Sequence, residues 1–241
     1  KQYPIFCRRA ARADGSYDPA AAEIVLLDQN EMAQGLAYLG LGARQVSDDD
    51  SLLAYTTDVT GFRQYDLHVK NIATNVRLPD TAARVRSVRW AADNKTLFYV
   101  TEDPVTKRSN QLWRLVLGQK PELIYDEKDE LYSITIGRTK DKRYLLLQVQ
   151  STDTHQVFCL DSETPSADFR PIMPREKGHK YDVDHRGGEF IIRTNKDAKN
   201  FRVVAAPVAN PAPDAWREIL AHDQNALIAD VDVFKDYAVV Q

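Results

Sequence analysis

Ala92-Asp93-Asn94-Lys95-Thr96-Leu97-Phe98-Tyr99-Val100 is a polar turn running directly into a contiguous apolar strand. The same reading returns at Asp48-Asp49-Asp50-Ser51-Leu52-Leu53-Ala54-Tyr55 and at Lys140-Asp141-Lys142-Arg143-Tyr144-Leu145-Leu146-Leu147. It returns again at Arg186-Gly187-Gly188-Glu189-Phe190-Ile191-Ile192 and at Phe234-Lys235-Asp236-Tyr237-Ala238-Val239-Val240. With Leu53, Leu97, Tyr144, Phe190 and Tyr237 taken as equivalent, the steps are 44, 47, 46 and 47 residues. A period in the forties with about four strands per period is the pattern of β-propeller blades.

The segments between these anchors complete each period. Val85–Trp90 alternates as a half-exposed strand, and Leu112–Val116 and Glu122–Tyr125 supply further strands. Unbroken apolar runs at the anchors suit strands covered on both faces, as in a blade held between two neighbours. Tyr3–Arg9 and Ile24–Asp28 read as the end of one blade, and a last unit begins at Ala226. The expected fold is therefore all-β: residues 1–241 form a propeller fragment of about five four-stranded blades, the outer ones incomplete. A β-sandwich also has many short strands, but nothing in it requires this interval. Helical pattern is confined to Asp28–Leu39, a turn or two capped by Asp28 or Asn30.

Composition narrows the function classes. The 241 residues carry a net charge of −3, with 28% charged and 43% hydrophobic residues, so no electrostatic case exists for nucleic acid or an anionic membrane. No apolar run approaches the ~20 residues of a membrane span, and Lys1–Phe6 lacks the apolar core of a signal peptide. A cytoplasmic (or periplasmic) location is the expectation. Cys7 and Cys159 have no metal spacing and read as small apolar fillers within strands. The chain opens on Lys1 and stops at Val239-Val240-Gln241 inside an apparent strand, which reads as a piece of a longer protein. Its end blades are expected to expose several hundred Å² of apolar surface, on the order that drives self-association.

A search for chemistry returns a scaffold. G-x-S-x-G, the tight strand-to-helix turn of a serine nucleophile, does not occur; Gly15-Ser16-Tyr17 is a polar loop. Asp48-Asp49-Asp50 lacks the other ligands of a calcium loop and reads as a turn. No glycine-rich phosphate loop and no tight histidine pair is present, so neither cofactor nor metal is expected. The basic groups Arg84/Arg86/Arg89 and Lys107/Arg108 are interleaved with acids and read as solvated strand and loop positions. His179 and His185 flank a strand that aims Asp182 and Asp184 the same way. That constellation reads either as a metal or acid/base site or as a polar network at a strand end.

Particular segments are familiar. Glu23 to Asn30 contains Leu26-Leu27-Asp28-Gln29-Asn30, similar to the L-L-D-x-N signature of the prolyl oligopeptidase family's propeller. Val46-Ser47-Asp48-Asp49 stands where that family has V-S-P-D, and the missing proline affects one turn. Tyr55 to Tyr65 resembles the hairpin that follows, with Arg63-Gln64-Tyr65 similar to the oligopeptidase B branch. Trp90-Ala91-Ala92-Asp93, Asp103-Pro104-Val105-Thr106, Leu112-Trp113-Arg114, Leu123 to Asp129, His179 to His185 and Lys199-Asn200-Phe201 continue the resemblance in order.

The resemblance implies a seven-bladed propeller set over an α/β-hydrolase domain. It implies cleavage of short peptides after arginine or lysine, with the serine, aspartate and histidine beyond Gln241 and no catalytic residue within this chain. The implied partners are short basic peptides and the hydrolase domain of the same polypeptide. Strand order makes Val85–Trp90, Tyr132–Ile136, Tyr181–Asp184 and Ile228–Val233 candidates for the propeller's inner edge. Arg86, Arg89, Asp182 and Asp184 are the charged members expected to meet substrate or the catalytic domain. Two other readings stand beside this one: a free-standing interaction propeller, and a propeller enzyme using Asp182, Asp184 and His185.

Overall fold

The computed structural model describes residues 2–241, which divide into two compact units, one ending at Val85 and one running from Arg86. In the first unit, β1 (Ile5–Arg8) pairs antiparallel with β2 (Ile24–Asp28), and α1 (Gln29–Met32) follows at once. Asp28 caps this single helical turn, its side chain accepting the Asn30 N–H at 2.8 Å. The helix is shorter than the sequence pattern suggests, and Asn30 turns back to bond Tyr3 at both its N–H and its carbonyl. A four-stranded sheet comes next: β3 (Gly40–Val46), β4 (Leu52–Asp58), β5 (Asp66–Asn71) and β6 (Arg77–Ala82), paired in chain order.

The second unit repeats that meander. Its first sheet holds β7 (Val85–Trp90, which starts at the unit boundary), β8 (Thr96–Glu102), β9 (Ser109–Val116) and β10 (Glu122–Asp126). The next holds β11 (Ser133–Arg138), β12 (Tyr144–Gln150), β13 (His155–Asp161) and the two-residue β14 (Arg170–Pro171). A third holds β15 (Tyr181–Arg186), β16 (Glu189–Thr194), β17 (Arg202–Pro207) and β18 (Arg217–Leu220). The hairpin β19 (Val231–Val233) and β20 (Ala238–Val240) ends the chain. The blades are thus four complete sheets and a two-stranded one near each end.

Every anchor lies within one residue of the start of the second strand of its sheet, and in three of the sheets the turn ahead of it is closed by the same hydrogen bond. Ser47 N–H bonds Leu52 O, Ala91 N–H bonds Thr96 O, and Thr139 N–H bonds Tyr144 O. Two residues before the second strand of each four-stranded sheet the backbone is left-handed, at Asp50 (φ 61°), Asn94 (φ 56°), Lys142 (φ 67°) and Gly187 (φ 61°). Glycine and asparagine adopt that conformation at least cost, and the polar turns of the repeat supply the residues it tolerates. The absent proline after Ser47 does not disturb the turn: Asp49 takes the Ser47 hydroxyl at 2.6 Å and the Ser51 N–H at 3.1 Å.

The apolar runs of the second strands are buried from both sides. Leu145, Leu147 and Val149 of β12 pack with Phe98, Val100 and Leu112 of the preceding sheet, while Leu146 faces Tyr181, Phe190 and Ile192 of the following one. Alternating side chains of one strand therefore serve two cores, and each fully buried leucine contributes about 2 kcal/mol. Cys159 fits its expected role as a core filler, and burial pushes its thiol up. Cys7 does not: it lies on β1 but is exposed, because β1 covers the unit's core with its other face. Among the described residues no helix is long and apolar enough to cross a membrane.

Candidate functional site

The four segments expected at the inner edge correspond to β7, β11, β15 and β19, each the first strand of its sheet in chain order and paired with another strand on one side only. On β15 burial alternates, with Tyr181, Val183 and His185 turned inward and Asp182 and Asp184 on the opposite, half-exposed face. Those two carboxylates meet in a cleft of about 220 Å³ between β15, β16 and β19, together with Arg193 and Asp230. Asp182 holds Arg193 at 2.8 Å and lies 3.8 Å from His155. Arg193 is further fixed by the Ile228 carbonyl at 2.8 Å and by the Phe201 ring 3.6 Å below its guanidinium. Among the described residues Asp184 forms no ion pair, although the charge of nearby Lys140 favours its ionised form. It accepts the backbone N–H groups of Lys140 at 3.0 Å and His185 at 2.8 Å. Burial nevertheless pushes its carboxyl above the usual value, and neighbouring Asp141 adds to that.

Arg86 and Arg89 do not line this cleft. Both sit on β7, where Arg86 is exposed and reaches the buried Glu102 at 3.6 Å. Arg89 is half-buried and its guanidinium donates to the Val88 carbonyl at 2.8 Å; burial lowers its pKa.

The histidines divide differently from the sequence pattern. His185 gives its side chain to Asp141, Nδ1 to Oδ2 at 2.6 Å, and not to Asp182 or Asp184. His179 is buried against Tyr181 with Nε2 2.7 Å from Thr194 Oγ1, and burial lowers its pKa. Among the described residues no group of three or more His, Cys, Asp or Glu side chains is placed to hold a metal ion. Arg108, read as a solvated loop cation, instead clasps the carbonyls of Glu127, Asp129 and Tyr132 at 3.0, 3.2 and 2.8 Å.

Sequence pattern also missed a buried network. Glu127 takes Arg175 at 2.6 Å, the Tyr125 hydroxyl at 2.7 Å and the Asp129 N–H at 2.9 Å. Arg175 lies over the Tyr132 ring at 4.1 Å, and the Tyr125 hydroxyl is pushed up to about 12, first by burial and then by Glu127. Arg175, the cation of the network, lies 48 residues from Glu127, so no local signal marks the pair.

Consecutive four-stranded meanders, which in the second unit share cores between neighbours, define a β-propeller fragment, and its charged edge residues are tied to adjacent strands and backbone groups. The chain belongs to the prolyl oligopeptidase family: the family's N-terminal β-propeller domain matches residues 1–241. It is 35% identical to a dipeptidyl aminopeptidase BI of Pseudoxanthomonas mexicana, over all of this chain and 35% of that protein. A protease 2 of Moraxella lacunata is 28% identical, again over the whole chain and 35% of its own length. The solved oligopeptidase B of Leishmania major superposes with a TM-score of 0.89 at 29% identity, covering 98% of this chain and 34% of that one. The chain thus spans about a third of the length of the relatives it matches.

Proposed function

We propose that residues 1–241 are the propeller module of a serine oligopeptidase that hydrolyses short peptides after arginine or lysine. The α/β-hydrolase part of the same polypeptide supplies the serine, aspartate and histidine. The propeller limits access by size, since a site beneath it is shielded from folded proteins and bulk water. The observation that carries the reading is the likeness along essentially the whole chain to an oligopeptidase B at a TM-score of 0.89. The cleft holds Asp182, Asp184 and Asp230 against the single cation Arg193, an excess of carboxylates that suits a basic peptide in transit.

The test compares the 241-residue chain with the longer polypeptide that carries it on a fluorogenic Arg-Arg substrate with a blocked amino terminus. The longer protein hydrolyses it and is labelled by a fluorophosphonate; the 241 residues do neither. Hydrolysis or labelling within the 241 residues would overturn the division of labour. Charge reversal at Arg86, Arg89, Asp182 and Asp184 in the longer protein changes kcat/KM or its salt dependence. Unchanged kinetics at all four would remove them from the substrate path.

A second reading rests on the 35% identity to a dipeptidyl aminopeptidase. It predicts that the longer protein requires a free amino terminus and releases dipeptides, so substrates with blocked and free amino ends separate the two. A stand-alone interaction propeller predicts no hydrolysis from any form.

A further inference from the structure

In the first unit a pocket of about 330 Å³ opens between β2 with α1 on one side and β4 to β6 on the other. Lys70 of β5 lines it although only 7% exposed. Its ammonium donates to the Leu26 carbonyl at 2.5 Å and to Asn75 Oδ1, both neutral acceptors. Asn75 is held for that role in the left-handed conformation (φ 58°) of the β5–β6 hairpin. A lysine ammonium has three N–H donors, so one is left to face the pocket.

Directly opposite Lys70 in the β5–β6 register stands Arg77, which also lines the pocket. Among the described residues neither cation forms an ion pair with a carboxylate. Like charges directly across a strand pair repel, and a buried cation without a counter-charge is costly. Burial depresses the Lys70 pKa, in line with that cost. Leu27, Met32 and Tyr55 form the apolar part of the wall, and the two carboxylates of the lining lie on the helix side, Asp28 as the N-cap of α1 accepting the Asn30 N–H, and Glu31 at the far helical turn. Glu31 is exposed and, among the described residues, meets no cation.

We infer that this pocket binds a short apolar peptide of dipeptide size through its terminal carboxylate, which supplies the anion that Lys70 and Arg77 lack, with its amino end toward Glu31. The volume lies at the lower end of small-molecule sites, around 300 Å³ and above, which favours a dipeptide over a longer chain. A charge-assisted bond to a paired lysine and arginine gives the carboxylate most of the recognition, and the apolar wall takes the side chains. The inference is independent of the peptidase reading, because it uses only residues 25–77 and can be tested on the 241-residue chain.

The experiment titrates the chain with leucyl-leucine, leucyl-leucinamide and N-acetyl-leucyl-leucine by calorimetry. In parallel, the labelling of each lysine by acetic anhydride is followed by mass spectrometry. Leucyl-leucine binds at millimolar concentration or better and protects Lys70 from acetylation while exposed lysines label as before. The amide binds about tenfold or more weakly for want of the carboxylate, and the acetylated peptide loses a few-fold for want of the amino group. Lys70→Met removes binding; because this variant also perturbs a buried position, Arg77→Ala, on the exposed strand, provides the independent check and weakens binding about tenfold. Equal affinity for acid and amide, absence of binding at 10 mM as a rough ceiling, or unchanged Lys70 labelling under saturating leucyl-leucine would each overturn the assignment.

Discussion

His185 Nδ1 and Asp141 Oδ2 lie 2.6 Å apart, joining the β11–β12 turn to the first strand of the following sheet. Asp141 also accepts the Thr139 hydroxyl at 2.7 Å and the Arg143 N–H at 3.1 Å, so one carboxylate closes its own turn and ties two blades together. The Tyr144 ring packs edge-on against His185 at 4.8 Å and fixes the imidazole. Burial works against the Asp141 charge, but the bonds from His185, Thr139 and Arg143 outweigh it and hold the carboxyl below its ordinary range. Its folded value being the lower one, its contribution is complete above the unfolded value and is lost as pH falls through the folded one, below about 4. Asp141→Ala is expected to cost about 1–2 kcal/mol by urea unfolding at pH 7, and clearly less at pH 3.

His68 titrates in the opposite sense to a stabilising histidine. It is 9% exposed, its Nε2 bonds Thr57 Oγ1 at 2.8 Å, and its Nδ1 has no partner among the described residues. Burial first, and Arg77 second, lower its pKa to about 4. Between about 6.5 and 4 the unfolded chain takes up a proton that the folded one refuses, so stability falls as pH falls across that window. The loss is on the order of 3 kcal/mol at most. His68→Gln removes the titration, and its urea midpoint should change less from pH 7 to pH 4.5 than that of the parent.

Glu127 is 5% exposed and pairs with Arg175 across two loops. Removing one member of a buried pair strands the other, so Glu127→Gln is expected to cost about 2–4 kcal/mol. Arg175→Met, which removes charge but keeps stem packing over Tyr132, leaves Glu127 and should cost a similar amount. The double variant should cost less than the sum. Denaturant unfolding of the four proteins reads the coupling directly.

Gly42 sits at the register shift of β3 where an added Cβ would clash with Thr56 Oγ1 and lie 2.9 Å from the Tyr65 ring. The Thr56 hydroxyl is buried and accepts the Ala43 N–H at 2.9 Å, so it cannot yield without losing that bond. Gly42→Ala is expected to lower stability by about 2 kcal/mol, measured as a shift in the urea midpoint at constant slope. Gly118→Ala tests the other cause of glycine usage: its φ is 80° with open space around it, and about 1 kcal/mol of strain is the expected cost.

The blade pattern could be read before any coordinates because it is local. A polar turn with one left-handed residue, followed by a strand apolar on both faces, is written within nine or so consecutive residues, as Ala92–Val100 shows. That Asp182 and Asp184 share one face of β15 follows from strand alternation alone. The period of the anchors and the order of the strands required nothing beyond counting. Even the helical turn was readable at its cap, Asp28, though its short length was not.

Partner choice was decided elsewhere. His185 meets Asp141 from 44 residues away, Arg175 meets Glu127 from 48, and Lys140 meets Asp232 from 92. A repeat brings the same strand position in every blade to an equivalent place, so sequence shows which side chains point outward but not which neighbour stands opposite. Only packing of one sheet on the next sets those distances. Electrostatic energy depends on them so steeply that the same residues read as a catalytic set, or as a structural tie, until the sheets are in place.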